Sequence, residues 1–256
     1  MLKALDHTWR VAAAGLGFAV FFGGGALAAA TLFPLIRGFT RDPAARGRNT
    51  RRVMHRMFAG YLLLLRGLGV MQIRIEGRAQ LGSLQGKLIV ANHPSLLDVV
   101  FLMAVVPHVQ CIVKDQLSAS RFLGGVVRQA GYIRNDLPAE EMMAACRAAL
   151  SSGSNLIIFP QGTRTPSSSA LPFHRGFANI AMETDVEIQT VKITCDPPYL
   201  GKGERWWQVP ERRPNFRIVP GACLAPHGQQ AQIRPLAARA LVRRLESYFT
   251  GFLANG

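Results

Sequence analysis

An uncharged apolar segment near the N-terminus constrains this chain more than any other feature. From Val11 to Ile36, 26 consecutive residues carry no charged side chain. About 20 apolar residues in a helix suffice to cross the hydrocarbon core of a bilayer, so the segment predicts a membrane element. Three glycines, Gly23 to Gly25, and Pro34 weaken a straight helix. The sequence therefore leaves open whether the element spans the bilayer or re-enters one leaflet as a hairpin.

Seven arginines and a single aspartate follow within positions 37–56. Such a cluster favours the cytoplasmic face of a membrane and attracts anionic headgroups. A secretory signal peptide with a cleavage site at Ala26 to Ala28 is the alternative, but positive charge just downstream opposes translocation. We therefore expect the chain at the cytoplasmic (inner) membrane, with its folded domain facing the cytoplasm.

The formal net charge of +15 predicts attraction to nucleic acid, an anionic membrane surface or phosphorylated substrates. Neither zinc-finger spacing nor a basic heptad region nor an aromatic RNA-binding motif is present, so membrane lipids are favoured as partners and no nucleic acid is expected. The four cysteines are far apart and form no C-x-x-C pair. This spacing argues against a disulfide framework and a structural zinc site, and favours a reducing compartment.

Apolar residues at three- and four-residue steps predict an amphipathic helix over about 50–68, which suits either the membrane interface or the protein core. Beyond Gly69, strands alternate with helices. The pattern predicts an α/β fold with a mixed, largely parallel sheet flanked by helices, behind an N-terminal membrane helix or helical hairpin. We expect two parts, a membrane part at 1–68 and a catalytic domain at 69–256. Predicted strands lie at 87–91, 109–113, 131–134, 155–159, 186–193 and 216–219, and predicted helices at 95–105, 120–129, 139–151, 173–184 and 236–252.

Two further stretches are less decisive. Residues 165–170 are predicted to be a loop because they combine serines with a proline. Trp206 and Trp207 lie between prolines and glycines, where a tryptophan pair suits either a membrane interface or a cap on the core.

The segment Ala91 to Asp98, A-N-H-P-S-L-L-D, joins a predicted strand to a predicted helix. Asn92 or His93 suits the helix cap and Pro94 the first helical position, which places Asp98 about one turn into the helix. His93 and Asp98 can then face each other, and the carboxylate would orient the imidazole as a general base. Taken alone, this spacing is common by chance. Since Ser95 lacks a nucleophile elbow, a covalent intermediate on the protein has little support.

Two further motifs deliver arginines from strand ends. Pro160 to Arg164, P-Q-G-T-R, follows a strand, and its Gly162, Thr163 and Arg164 offer a flexible backbone, a hydroxyl and a guanidinium to an oxyanion. Gly131 to Arg134 ends in a second arginine. Ligands of α/β sheets gather at the carboxyl ends of strands, so we expect one crevice containing Arg134, Arg164 and His93.

The order N-H-P-S-L-L-D, G-Y-I-R and F-P-Q-G-T-R behind a membrane segment resembles the lysophospholipid (1-acylglycerol-3-phosphate) acyltransferase family of glycerolipid acyltransferases, over residues 50–195. The resemblance implies transfer of a fatty acyl group from an acyl carrier protein or coenzyme A thioester to a lysolipid hydroxyl. His93 matches the general base and Asp98 its partner. The residues assigned to the site of the acceptor's phosphate are Arg134, Gln161, Gly162, Thr163, Arg164 and, as a weaker match, Lys114. Apart from these co-substrates no cofactor is implied, and no metal.

Position 161 departs from the family pattern, which has glutamate where this chain has Gln161. A carboxylate only accepts hydrogen bonds, whereas an amide also donates them, so the usual acceptor is in question. The segment after residue 195 is more similar to a bacterial branch that serves acyl-carrier-protein-dependent pathways, including aryl-polyene lipids. A catalytically degenerate, membrane-tethered protein that binds lipid headgroups is the alternative from another class. The remaining histidines, including His174, are expected to be structural or solvated.

Overall fold

The computed structural model of the protein describes residues 2–120, 124–165, 173–226 and 234–254. The helices are α1 (Leu2–Ala30), α2 (Leu32–Phe39), α3 (Pro43–Gly67), α4 (Arg78–Gly82), α5 (Asp98–Val105), α6 (Asp115–Ala119), α7 (Gly124–Ala130), α8 (Ala139–Ser151), α9 (Gly176–Thr184) and α10 (Arg234–Ala254). The strands are β1 (Gln72–Ile75), β2 (Leu88–Ala91), β3 (Val109–Val113), β4 (Ile133–Arg134), β5 (Asn155–Ile158), β6 (Ile188–Asp196) and β7 (Asn215–Leu224). His227 and most of the predicted loop at 165–170 lie outside the described residues.

Within these described residues, seven strands form one sheet in the order β1-β7-β6-β2-β5-β3-β4. All neighbouring strands are parallel except β6 and β7, which are antiparallel. The predicted fold class is therefore confirmed. β1 was missed because its sequence, Q-I-R-I, alternates polar with apolar residues over four positions only. It pairs with β7 at the edge of the sheet, where one polar face is tolerated.

Helices cover both faces of the sheet, so its central strands are buried on both sides. In β2 the side chains alternate between two cores: Ile89 and Ala91 pack beneath α1, α3 and α5, and Leu88 and Val90 pack beneath α8, α9 and α10. Burial on both faces explains why β2 and β5 are continuous apolar runs.

The predicted membrane element is a long helix with a break near its end. α1 runs without interruption through the three glycines and stops before Thr31. The break is explained by Pro34, which cannot donate to the carbonyl of Ala30 and crowds it. A stretch of 18 residues within 4–39 has a mean hydropathy of 1.9 and is mostly exposed, and by length and composition the segment is able to cross a membrane.

α3 begins earlier than the helix predicted at 50–68. Asp42 caps its first turn by accepting hydrogen bonds from two backbone N–H groups, and Pro43 occupies the first helical position. α3 packs against α1, α5 and α7, and Tyr61, Leu62 and Leu65 are buried there. This packing matches the core-helix alternative.

The helix that follows β2 begins later than predicted. α5 starts at Asp98 rather than near Pro94, because the Asp98 carboxylate accepts the N–H of Ser95 and closes a turn ahead of the helix. The other predicted helices agree with the structure to within a few residues, apart from the part of 120–129 that lies outside the described residues.

Candidate active site

The end of β2 is fixed by a side chain that replaces a strand hydrogen bond. Asn92 donates through Nδ2 to the carbonyl of Ile193 and accepts the N–H of the same residue through Oδ1, both at 2.7 Å. Asn92 is buried, so both bonds are shielded from water. They fix the direction in which the chain leaves the sheet, and His93 comes next.

His93 and Asp98 form the predicted pair. Nδ1 of His93 lies 2.8 Å from Oδ2 of Asp98, which also accepts the N–H of Ser95 at 2.7 Å. Asp98 is fully buried, and its Oδ1 has no hydrogen-bond partner within the described part of the chain. Burial raises the pKa of Asp98 to about 6, although the His93 contact and the charge of Arg164 oppose the shift. Once ionised, Asp98 accepts a hydrogen bond from the Nδ1–H of His93, and this tautomer leaves the Nε2 lone pair free.

The imidazole of His93 is also held from two other sides. Its ring stacks on Phe159, with 4.2 Å between ring centroids and 23° between planes. Its backbone N–H donates to Oε1 of Gln161 at 3.0 Å, and its carbonyl accepts the N–H of Thr165 at 2.8 Å. The turn that follows β5 therefore supports the turn that follows β2.

Gln161 has a role that the sequence did not predict. Its side chain is buried, and its oxygen must face the His93 N–H, since only that end of the amide can accept. The orientation leaves Nε2 buried without a hydrogen-bond partner among the described residues. A glutamate at this position could accept the same N–H. Glutamine in place of the family's glutamate therefore keeps the hydrogen bond to His93 and changes only the second polar atom of the side chain, from an oxygen to Nε2.

The backbone of the P-Q-G-T-R turn needs a glycine at its centre. Gly162 has a φ of 66°, and a Cβ there would lie 3.1 Å from the ring of His174. Gly162 and Thr163 are exposed, as is His174. The structure thus brings a second imidazole to the turn. Sequence reasoning missed it, because the only signal is its place at the start of a helix.

Arg164 lies close to the dyad and is fixed at one edge. Its Nη1 donates to the carbonyls of Leu200 and Gly201, at 2.9 and 2.8 Å. The next residue, Thr165, donates its N–H to the carbonyl of His93, and the positive charge of Arg164 partly opposes the rise in the pKa of Asp98. The other edge of the guanidinium makes no hydrogen bond to a described residue and has the geometry to bind an oxyanion.

Arg134 and Lys114 lie farther along the sheet. Arg134 ends β4, which is separated from β2 by β5 and β3, a distance of about 14 Å at ordinary strand spacing. Its guanidinium is ion-paired with Asp136 and, at 3.2 Å, with Asp115. Lys114 follows β3 and is exposed. The structure joins His93, Asp98, Gln161 and Arg164 by direct contact or charge. One crevice that also includes Arg134 and Lys114 stays a prediction.

Comparison with known proteins places this site within a family. A family model described as Acyltransferase matches residues 72–194. The mouse 1-acyl-sn-glycerol-3-phosphate acyltransferase alpha is 30% identical over 186 residues, which cover 69% of this chain and 63% of that protein. The Helicobacter pylori 1-acyl-sn-glycerol-3-phosphate acyltransferase is 37% identical over 113 residues, which cover 42% and 48%.

The chain belongs to the 1-acylglycerol-3-phosphate acyltransferase family.

As a member of this acyltransferase family, the chain shares the fold of a solved relative. The crystal structure of the 1-acyl-sn-glycerophosphate acyltransferase PlsC from Thermotoga maritima superposes with a TM-score of 0.67 at 19% identity, covering 97% of this chain and 98% of that one. The chain spans about half to just under two thirds of the length of the two curated relatives described above. All of the predicted site residues lie within the part that matches the acyltransferase family.

Proposed function

We propose that the protein is a membrane-associated O-acyltransferase that moves a fatty acyl group from an acyl carrier protein or coenzyme A thioester to a hydroxyl of a lysophospholipid-like acceptor. The observation that carries the proposal is the His93–Asp98 contact of 2.8 Å beside the P-Q-G-T-R turn. A base and an oxyanion-binding arginine at one sheet edge suit an acceptor with both a hydroxyl and a phosphate.

The proposed reaction is a direct transfer. Nε2 of His93 takes the proton of the acceptor hydroxyl while the hydroxyl oxygen attacks the carbonyl carbon of the thioester. The carbon–sulfur bond then breaks, and the leaving thiolate takes the proton back from His93. Ionised Asp98 stabilises the imidazolium between these two steps and keeps Nε2 facing the acceptor. Base and acid are the same side chain, so a protein nucleophile is not required.

Arg164 is the best-supported ligand for the acceptor's phosphate. Its anchored Nη1 fixes the plane of the guanidinium, so the free edge meets an anion with little loss of side-chain freedom. The exposed backbone at Gly162 and the hydroxyl of Thr163 lie on the same turn and would add donors. Arg134 and Lys114 are proposed to add positive charge at longer range, with Arg134 shared between two carboxylates.

The N-terminal helices support attachment to one face of a membrane. α1 and α2 contact the rest of the protein at intervals: Arg10 donates to Pro210, Phe21 packs against Tyr61 of α3, and the carbonyl of Phe33 accepts from Gln129. A spanning helix needs about 30 Å free of such contacts. The outer side of α1 is apolar and exposed, so we propose that it lies within one leaflet of the cytoplasmic (inner) membrane, with the active site facing the cytoplasm.

The test is product formation by the purified protein. Acyl carrier protein and coenzyme A thioesters are offered with 1-acylglycerol-3-phosphate and with lysolipids that lack the phosphate, and acylated product is followed by mass spectrometry. We expect product with the phosphate-bearing acceptor. Absence of product with every donor and acceptor, together with retained binding of the lysolipid, would favour the headgroup-binding alternative. Product only with acceptors that lack phosphate would contradict the assignment of Arg164.

A further inference from the structure

The loop that joins β6 to β7 packs along the N-terminal half of α1. Within it, residues 199–208 are here called the tryptophan loop. The ring of Trp206 lies 6.0 Å from the ring of Phe18, and a Cβ at Gly15 would come within 3.1 Å of it. Tyr199 donates through its hydroxyl to the carbonyl of Trp206 at 2.9 Å. Trp206 is therefore held against α1 at a site where a glycine makes room.

The tryptophans of the chain are concentrated around this contact. The protein has three, and all are partly exposed: Trp9 by 55%, Trp206 by 37% and Trp207 by 46%. Trp9 precedes Gly15 by six residues on α1, about 9 Å along the helix. Its Nε1 donates to the carbonyl of Leu68 at 3.0 Å, so it too has a fixed position. Large aromatic side chains with one polar end are typical of the membrane interface.

The aromatic surface continues into the apolar face of α1. Trp207 meets Trp206 edge to face at 5.5 Å, Trp206 meets Phe18, and Phe18 meets the exposed Phe22 at 6.2 Å. Large apolar side chains are exposed farther along the helix as well, including Leu27. Because this apolar surface runs without a gap from the loop onto the membrane helix, the loop and the helix can meet the same bilayer.

The polar groups of the loop suit a headgroup environment better than an acidic protein. The guanidinium of Arg205 lies 5.1 Å from the centre of the Trp207 ring. Lys202 is the other cation of the loop, and Glu204 opposes them. A carrier protein with many carboxylates would require a strongly basic face, whereas one cation beside an indole matches the level of lipid phosphates and esters.

The same loop holds Arg164. The carbonyl of Leu200 accepts hydrogen bonds from Nη1 of Arg164 and from the N–H of Leu96, and the carbonyl of Gly201 accepts from the same Nη1. Trp206 therefore lies only five positions after Gly201, the nearer of the two residues that anchor Arg164. The depth of the tryptophans in a bilayer would fix the height of the active site above it.

We propose that the tryptophan loop is a second membrane contact, distinct from the apolar face of α1 and α2, and that its partner is the headgroup and glycerol region of the bilayer. In this arrangement Trp206 and Trp207 lie at the level of the lipid esters. The loop then holds the end of the active site that contains Arg164 at the membrane surface, where a lysolipid presents its phosphate. The inference rests on the membrane association that is part of the proposed function, but it does not require acyl transfer.

The test uses the full-length protein with Trp9→Phe and Trp206→Phe, so that Trp207 is the only tryptophan and is excited selectively over the tyrosines. Vesicles contain equal parts of phosphatidylcholine and phosphatidylglycerol, with bromine near the ester end or near the tip of the acyl chains. We expect a blue shift of Trp207 emission and stronger quenching by the shallow bromines. Unchanged emission while the protein sediments with the vesicles would overturn the second contact and leave membrane association standing. Failure to sediment would overturn both. A blue shift caused by acyl carrier protein without vesicles would assign the loop to a protein partner and also overturn the proposal.

A second measurement does not depend on fluorescence. Trp207→Ala removes an exposed ring and leaves Trp206 in place, and its partition into the same vesicles should fall about tenfold. Leu236→Ala is the matched control, since Leu236 is 52% exposed on α10 and should leave partition unchanged. Turnover of Trp207→Ala should fall with substrate presented in vesicles and remain with substrate dispersed in detergent. Equal partition of wild type and Trp207→Ala would contradict the proposal.

Discussion

Oε1 of Gln161 accepts the backbone N–H of His93 at 3.0 Å, so the residue that departs from the family pattern directly supports the residue that matches the general base. An amide oxygen and a carboxylate oxygen can both accept this hydrogen bond. Their difference falls on the second atom of the side chain, the buried Nε2, and on the charge placed near the buried Asp98.

Gln161→Glu is therefore expected to keep turnover within about tenfold of wild type. A second negative charge near Asp98 would raise the pKa of that carboxyl further, and the acidic limb of the pH–rate profile should move up by about one unit. The profile of kcat against pH is the measurement. Gln161→Ala is the control. It leaves the His93 N–H without an acceptor, so its kcat should be more than tenfold below that of wild type at every pH. An unshifted limb in Gln161→Glu would contradict the electrostatic contact between positions 161 and 98.

Asp98→Asn should lower activity but increase stability relative to wild type as the pH rises. Because the native protein holds the Asp98 proton up to a pH of about 6, whereas an ordinary aspartate releases it near 3.8, wild type loses stability as the pH rises between these values. The variant lacks this loss. The free energy of unfolding of the variant minus that of wild type should therefore increase by up to about 3 kcal/mol from pH 4 to pH 7. Denaturant unfolding of both proteins at each pH measures this difference.

The same variant should lose activity, since an amide does not stabilise the imidazolium of His93. Wild-type activity should fall below a pH of about 6, as Asp98 takes up its proton. A stability difference that stays constant with pH would show that burial does not raise the pKa of Asp98.

Arg164 and Arg134 should differ in their effect on the acceptor. Arg164→Ala removes a guanidinium fixed beside the dyad and should raise the KM for 1-acylglycerol-3-phosphate by about 10–100-fold, the range of a charge-assisted hydrogen bond. Arg134→Ala should raise it less than about threefold, because two carboxylates already neutralise that side chain. Arg175→Ala, an exposed arginine at the start of α9, is the control. Equal increases in KM for Arg164→Ala and Arg134→Ala would instead show that Arg134 binds the acceptor as directly as Arg164 does.

Local chemistry explains which parts of the structure could be predicted from the sequence. The strand and helix pattern after residue 69 is periodic, and it predicted six of the seven strands found in the part of the chain that the structure describes. His93 and Asp98 are five residues apart on one turn, so their contact needs little tertiary information. Gln161 and His93 are 68 residues apart, and their contact depends on β2 and β5 being neighbours in the sheet, which the sequence did not fix.

Other features depended on tertiary packing alone. α5 begins at Asp98 and not near Pro94 because the buried carboxylate of Asp98 accepts the N–H of Ser95. The helix-start signals at Pro94 do not show whether that hydrogen bond forms. The contact of Trp206 with Gly15 links residues 191 positions apart. No local pattern could show that this glycine in an apolar helix makes room for a ring.

His93→Ala tests the central claim most directly. Thiol release from an acyl thioester, measured with and without 1-acylglycerol-3-phosphate, reports turnover without assuming a product. We predict a fall in acceptor-dependent release of about 10²–10⁴-fold, the usual contribution of a general base, with an unchanged melting temperature. His108→Asn is the control, since His108 lies at the amino end of β3 with a φ of 50° that asparagine tolerates, and it should retain wild-type activity. Acceptor-dependent release by His93→Ala at a rate close to wild type would contradict the account.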